Sequence, residues 1–134
     1  MNDGNNRVLV LADDFTGAND AGVSLAEAGM SVEVAFTAGQ PSTARALILN
    51  SDSRAMDPKL AAMKITSLMS HLPLANNPPL VIKKIDSTLR GNIGAEIEAL
   101  MKACGITGAV VAPAFPQAGR TTVAGECWVN GVRI

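Results

Sequence analysis

Aromatic residues are nearly missing from this 134-residue chain, which has three Phe, one Trp and no Tyr. A core without that bulk must be built from Ala, Val, Leu, Ile and Met, as in buried strands flanked by helices. Unbalanced charge is missing too. Eleven Lys and Arg face twelve Asp and Glu, the net charge is −1, and no basic or acidic block occurs. That removes the electrostatic case for nucleic acid or an anionic membrane as partner and points to a small ligand. Two cysteines, Cys104 and Cys127, make neither a disulfide framework nor a metal-ligand spacing, and they read as reduced thiols of a cytoplasmic protein. The apolar run Val8–Ala12 is far too short for a signal peptide or a membrane span. What is abundant is aliphatic: 48% of the residues are hydrophobic, enough to bury a core in one domain or part of one.

Patterning predicts strands alternating with helices. Arg7–Ala12, Ser31–Phe36, Ala46–Asn50, Leu80–Ile85 and Ala109–Ala112 read as strands by their short, β-branched apolar runs. A first helix is expected from a cap at Asn19 or Asp20 to about Ala28, with Gly29 as its left-handed stop. Asp57-Pro58 reads as an N-cap followed by proline at the first helical position, leading a face of Ala61, Ile65, Leu68 and Leu72. Ile93, Ile97, Leu100, Met101 and Cys104 mark the face of a third helix ended by Gly105. The polar stretch 1–7 and the proline-bounded stretch 73–79 read as loops. Near the end, Cys127–Val129 and Asn130-Gly131 signal a hairpin whose returning arm is only Val132, Arg133 and Ile134, so the chain is expected to continue. The fold class is α/β: a mostly parallel sheet with helices on both faces, three layers deep and incomplete at its C-terminus.

In such sheets ligands bind at the carboxyl ends of the strands, and the polar residues of this chain gather there. They are Asp13-Asp14 after the first strand, Asn50 to Arg54 after the third, Lys83 to Asn92 after the fourth, and Pro113 to Thr122 after the fifth. Arg54, Lys84 and Arg90 supply cationic donors, and an arginine grips a carboxylate with two parallel bonds. Ser87, Thr88 and the amides before Ile93 form an anion-receiving turn. Asp14 and Asp86 can accept from hydroxyls and orient or deprotonate one. The ligand so described has an anionic end and a run of hydroxyls. Plainer readings stand beside these. Asp13 serves equally well as a cap, Asp52 and Ser53 as turn formers, and Arg120 as the partner of a nearby acid. Of the neighbours Lys83 and Lys84, one faces away and is solvated or snorkels. His71 suits a helix end, Met63, Met69, Met101 and Cys104 suit the core, and Trp128 suits core or interface.

Three segments, Ala12–Ala18, Lys84–Asn92 and Pro113–Thr122, resemble in register the N-terminal domain of the four-carbon acid sugar kinases, with Ser53-Arg54 also in place. The resemblance implies transfer of phosphate from ATP, with Mg2+, to a hydroxyl of threonate, erythronate or a related acid. It implies that residues 1–134 hold the acid sugar while a C-terminal domain lying outside this stretch holds the nucleotide. By position, Asp14, Arg54, Lys84, Ile85, Asp86, Ser87, Thr88 and Arg90 would contact substrate, Arg54 gripping its carboxylate. Asp86 or Asp14 would be the base, and no metal ligands are assigned. The chain lacks any glycine-rich phosphate loop, so turnover by it alone is not expected. Its oligomeric state stays open, a homodimer included. Two other classes share features of this pattern. A receiver-like phospho-acceptor domain would need a lysine after the fifth strand, where Pro113 stands, and a non-catalytic sugar-acid-binding module would have the same site without turnover.

Overall fold

The computed structural model describes residues 8–72 and 79–134, so the loops expected at 1–7 and across 73–78 lie outside the described residues. Strands β1 (Val8–Ala12), β2 (Val32–Ala35), β3 (Ala46–Asn50) and β4 (Leu80–Lys84) form one parallel sheet in the order β2-β3-β1-β4. Val8 stands level with Ala46 on one side and Leu80 on the other, and Ala12 with Asn50 and Lys84. The carboxyl ends of β1, β3 and β4 therefore finish side by side. β1 and β3 are buried along their whole length, which explains their unbroken apolar sequences.

Helix α1 (Phe15–Glu27) covers one face of the sheet, while α2 (Pro58–Ser70) and α3 (Ile93–Cys104) cover the other. Leu9, Leu11, Leu47 and Leu49 meet Ile65, Leu68, Met69 and Leu100 on the two-helix side. Val8, Val10, Ala46 and Ile48 pack with Ala18, Ala21 and Leu25 on the other. The expected three-layer α/β architecture is thus present.

Local signals held at most helix ends. Asp57 accepts from the Lys59 amide at 2.9 Å ahead of Pro58. Gly29 and Gly105 take left-handed conformations after α1 and α3, and the Met30 and Ile106 amides return to Leu25 and Met101 in Schellman closures. The hairpin turn is also as expected: Asn130 and Gly131 both have positive φ, 50° and 80°, the requirement of a type I′ turn. It joins β6 (Glu126–Val129) to β7 (Val132–Arg133), and β5 (Arg120–Val123), read from sequence as loop, adds a third antiparallel strand.

Four expectations need correction. Helix α1 starts at Phe15, not after Asn19 or Asp20, because Asp14 caps it by accepting from the Gly17 amide at 2.9 Å. The segment Ala109–Ala112 pairs with no strand among the described residues, and Val110 is 97% exposed. Its β-branched residues favour extended backbone, but a strand exists only where a neighbour completes the ladder, and β4 keeps an open edge. The buried face of α3 is Glu96, Ala99 and Leu100, while Ile97 and Met101 line an open groove with Ile106. Met63 is exposed rather than in the core.

Candidate functional site

Asp13 and Asp14 follow β1 directly and diverge. Asp13 is 3% exposed and takes Arg54 in a two-pronged grip, with Arg54 Nε donating to Oδ2 at 3.2 Å and Nη2 to Oδ1 at 3.0 Å. Asp14 accepts the α1 amide on Oδ1 and Arg54 Nη1 on Oδ2 at 3.1 Å. Burying one carboxylate and half-burying another is tolerable because one guanidinium serves both. The hydrogen bond to Asp13 leads the influences that raise the Arg54 pKa, with Asp14 and Asp86 adding to it through space.

Two glycines make this pairing fit. A Cβ on Gly17 would lie 2.6 Å from Asp14 Oδ1, and one on Gly91 would lie 2.5 Å from Asp13 Oδ2. Both glycines belong to the segments Ala12–Ala18 and Lys84–Asn92 that carry the family resemblance. Gly91 also has φ +99°, open to glycine and unfavourable to other residues.

The turn after β4 does receive an anion, and the anion is its own. Asp86 Oδ2 accepts from the Thr88 amide and hydroxyl, the Arg90 amide and Arg90 Nε, and Oδ1 accepts from Arg90 Nη2 at 3.0 Å. Bonding by Arg90, partly opposed by burial and reinforced by Thr88, holds the Asp86 carboxyl well below the usual carboxylate range. Leu89 is left-handed at φ 63°, which turns Arg90 back over Asp86. Beside this turn Lys83, Lys84, Ile85, Asp86 and Ser87 line an open cleft of ≈ 690 Å³ together with Pro113 and Phe115, a volume suited to a small ligand. Lys84 Nζ donates to the Ile85 carbonyl at 3.0 Å. Cys127 Sγ lies 3.6 Å from the Ser87 carbonyl and ties the antiparallel sheet to the cleft wall.

The structure therefore brings the expected residues to one end of the sheet in two adjoining groups. Asp14 and Arg54 form one and Lys84, Ile85, Asp86 and Ser87 the other, with Thr88 and Arg90 bound to Asp86 outside the cleft lining. Arg120 Nη1 donates to the Ala118 carbonyl at 2.6 Å, while its buried Nε has no hydrogen-bond partner among the described residues.

Sequence reasoning left the role of Lys83 open and gave none to Asn92 or Glu96. Lys83, expected to be solvated or snorkelling if it faced away from the cleft, is buried against Glu96, with Nζ 2.9 Å from Oε2. Glu96 itself is fully buried. Asn92 Nδ2 donates to the carbonyls of Ser53 at 3.2 Å and Met56 at 2.8 Å, clamping the turn that carries Arg54. The available signal was helical spacing, since Glu96 stands three and four residues before Ala99 and Leu100 on the core face.

A parallel sheet between helix layers, with paired acids and bases at its carboxyl edge, defines a small-ligand α/β domain. The chain belongs to the sugar-binding N-terminal domain family, whose model matches residues 8–134. It is 50% identical over 128 residues to the D-threonate kinase of Salmonella typhimurium, covering 94% of this chain and 30% of that protein. It is 38% identical over 131 residues to the D-erythronate kinase of Heliobacterium modesticaldum, covering 93% and 30%. A crystal structure of a domain of unknown function from Bordetella bronchiseptica, a domain-swapped dimer with bound citrate, superposes with TM-score 0.86 at 31% identity, over 97% of this chain and 35% of that one. The chain thus spans about a third or less of the proteins it matches, and in the kinases that share is their N-terminal sugar-binding domain.

Proposed function

We propose that this chain is the substrate-binding part of an ATP-dependent kinase that phosphorylates a hydroxyl of a four-carbon acid sugar of the threonate or erythronate type. The observation that carries the reading is the meeting of two Asp–Arg pairs, Asp14 with Arg54 and Asp86 with Arg90, beside a small cleft at the carboxyl ends of neighbouring strands. Arg54 uses three N–H groups on Asp13 and Asp14, and a guanidinium carries five, so two remain for a substrate carboxylate. Lys84 adds positive charge at the cleft wall. The citrate-bound relative fits a site that favours hydroxylated carboxylates.

Of the two candidate bases, Asp14 is the better placed. Asp86 already accepts five hydrogen bonds and its proton affinity is depressed, so it suits an anchor for a hydroxyl rather than a proton acceptor. Asp14 accepts two and faces the same end of the sheet. Phosphoryl transfer depends mostly on positioning and charge, so loss of Arg54 should harm the reaction at least as much as loss of the base. ATP with Mg2+ would be held by the remainder of such a kinase. The described residues include no group of three or more His, Cys, Asp or Glu side chains that could hold a metal ion, and Asp13 and Asp14 have Arg54 as their cation.

The receiver-like alternative loses ground on topology. In that fold β1 lies between β2 and β3, whereas here it lies between β3 and β4. As a partner we propose a second copy of the chain: the domain-swapped relative, the open edge of β4 and the exposed tract around Val110 all favour exchange.

Calorimetric titration of the chain with threonate, erythronate and their epimers, without ATP, tests the binding reading. Selective binding of one or two of these acids, lost in a folded Arg54→Ala variant, is expected. A folded wild-type chain that binds none of them refutes it. Binding that is never followed by turnover when the chain is joined to a nucleotide-binding remainder would favour the non-catalytic module.

A further inference from the structure

Glu96 belongs to no expected site, yet it is 0% exposed and sits where a leucine would complete the core between α3 and the sheet. Burying a carboxylate there is costly unless its oxygens are engaged. Oε2 lies 2.9 Å from Lys83 Nζ, outside hydrogen-bond geometry, so that contact is ionic, and the ammonium donates to the Lys84 carbonyl at 2.9 Å. Oε1 accepts the hydroxyl of Ser53.

Ser53 is itself fully buried and tied at every polar atom. Its amide donates to the Asp13 carbonyl at 3.0 Å, its carbonyl accepts from Asn92, and its Oγ lies 2.7 Å from Ser51 Oγ. Each hydroxyl has one hydrogen. With that of Ser53 given to Glu96, that of Ser51 goes either to Ser53 Oγ or to the Ala12 carbonyl at 3.0 Å. The next residue is Arg54, whose amide also reaches the Asp13 carbonyl, at 3.2 Å, and whose side chain holds Asp13 and Asp14. Through Lys83 the same carboxylate also anchors the end of β4. Strand alternation then sends the Lys84 side chain to the opposite side, towards Gly17 of α1.

We infer that Glu96 is a positioning residue: its buried carboxylate, paired with Lys83 and hydrogen-bonded by Ser53, sets the direction of Arg54 and so of the Asp13–Asp14 pair. For its ligand this inference rests on the acid-sugar reading above. For its geometry it does not.

The test therefore has two readouts. In 15N–1H spectra of the 134-residue chain, Arg54 Nε–H, bonded to buried Asp13, should give a slowly exchanging resonance. Calorimetry measures the affinity for threonate or erythronate. The double variant Lys83→Met with Glu96→Leu removes both charges together and orphans neither, so its thermal melt should be kept or raised. Its Arg54 Nε–H resonance should nevertheless lose protection, and affinity should fall about tenfold, the worth of one well-placed hydrogen bond. Lys83→Met with Glu96→Gln restores an acceptor for Ser53 and should recover both. Ser53→Ala keeps the ion pair, should show the same losses, and decides the matter if the leucine variant does not fold. A folded leucine variant or Ser53→Ala with wild-type resonance and wild-type affinity overturns the inference. A wild-type chain that binds neither acid while its Arg54 resonance still depends on Glu96 upholds the positioning role and removes the substrate reading instead.

Discussion

Replacing Gly91 by alanine should be among the most damaging one-carbon changes available in this chain. The new Cβ would stand 2.5 Å from Asp13 Oδ2 on a backbone held at φ +99°. Forcing alanine into that region costs about 1–3 kcal/mol. Relieving the contact requires the Asp13 carboxylate to move, which breaks the two-pronged bond to Arg54, and charged hydrogen bonds contribute roughly 1.5–3 kcal/mol. The sum, about 2.5–6 kcal/mol, is a large part of the roughly 5–15 kcal/mol that holds a domain folded. In urea, with a slope of about 1–3 kcal/mol per molar, the unfolding midpoint should drop by roughly 2 M. Gly94→Ala is the control. It lies three residues on, inside α3, where a Cβ meets nothing within 4 Å, and should stabilise by about 0.5–1 kcal/mol. If the Gly91→Ala midpoint stays within about 0.5 M of wild type, the close fit of Gly91 against Asp13 is not what organises this site.

The Asp86 turn makes a pH-dependent prediction. Its folded carboxyl is held below the ordinary value, so its stabilising contribution is complete above about pH 4 and is lost as pH falls through the depressed folded value. Thermal melts of Asp86→Asn and wild type should differ by a constant amount near neutrality and converge in acid; a gap unchanged down to about pH 2.5 contradicts the assignment. The dimer reading predicts a mass of two chains by light scattering, shifted towards one chain by Val110→Glu. A wild-type chain that is monomeric at every concentration refutes it.

Much of this protein was legible without coordinates. β1 and β3 could be read because buried parallel strands are apolar without interruption, and α2 because Asp57-Pro58 states a helix start in two residues. The candidate site was legible as a set of polar segments, since polar residues cluster where the strands of this sheet end. The start of α1 was misjudged because Asn19 and Asp20 offer the same capping chemistry as Asp14, and only the path of the chain after β1 decides that the Asp14 carboxylate reaches the Gly17 amide.

By itself, then, the sequence determined the layers, the helix stops, the Asn130-Gly131 turn and the types of residue at the sheet's carboxyl edge. Each of these follows from local backbone preference or from one residue's relation to its near neighbours. Tertiary structure alone decided that Arg54 spans both Asp13 and Asp14 and that Lys83 is buried. It also decided that Ala109–Ala112 has no ladder partner among the described residues. The first of these depends on residues some forty positions apart meeting at about 3 Å, as Arg54 meets Asp13. Such a meeting is set by which strands lie side by side, and nothing local to either partner records it.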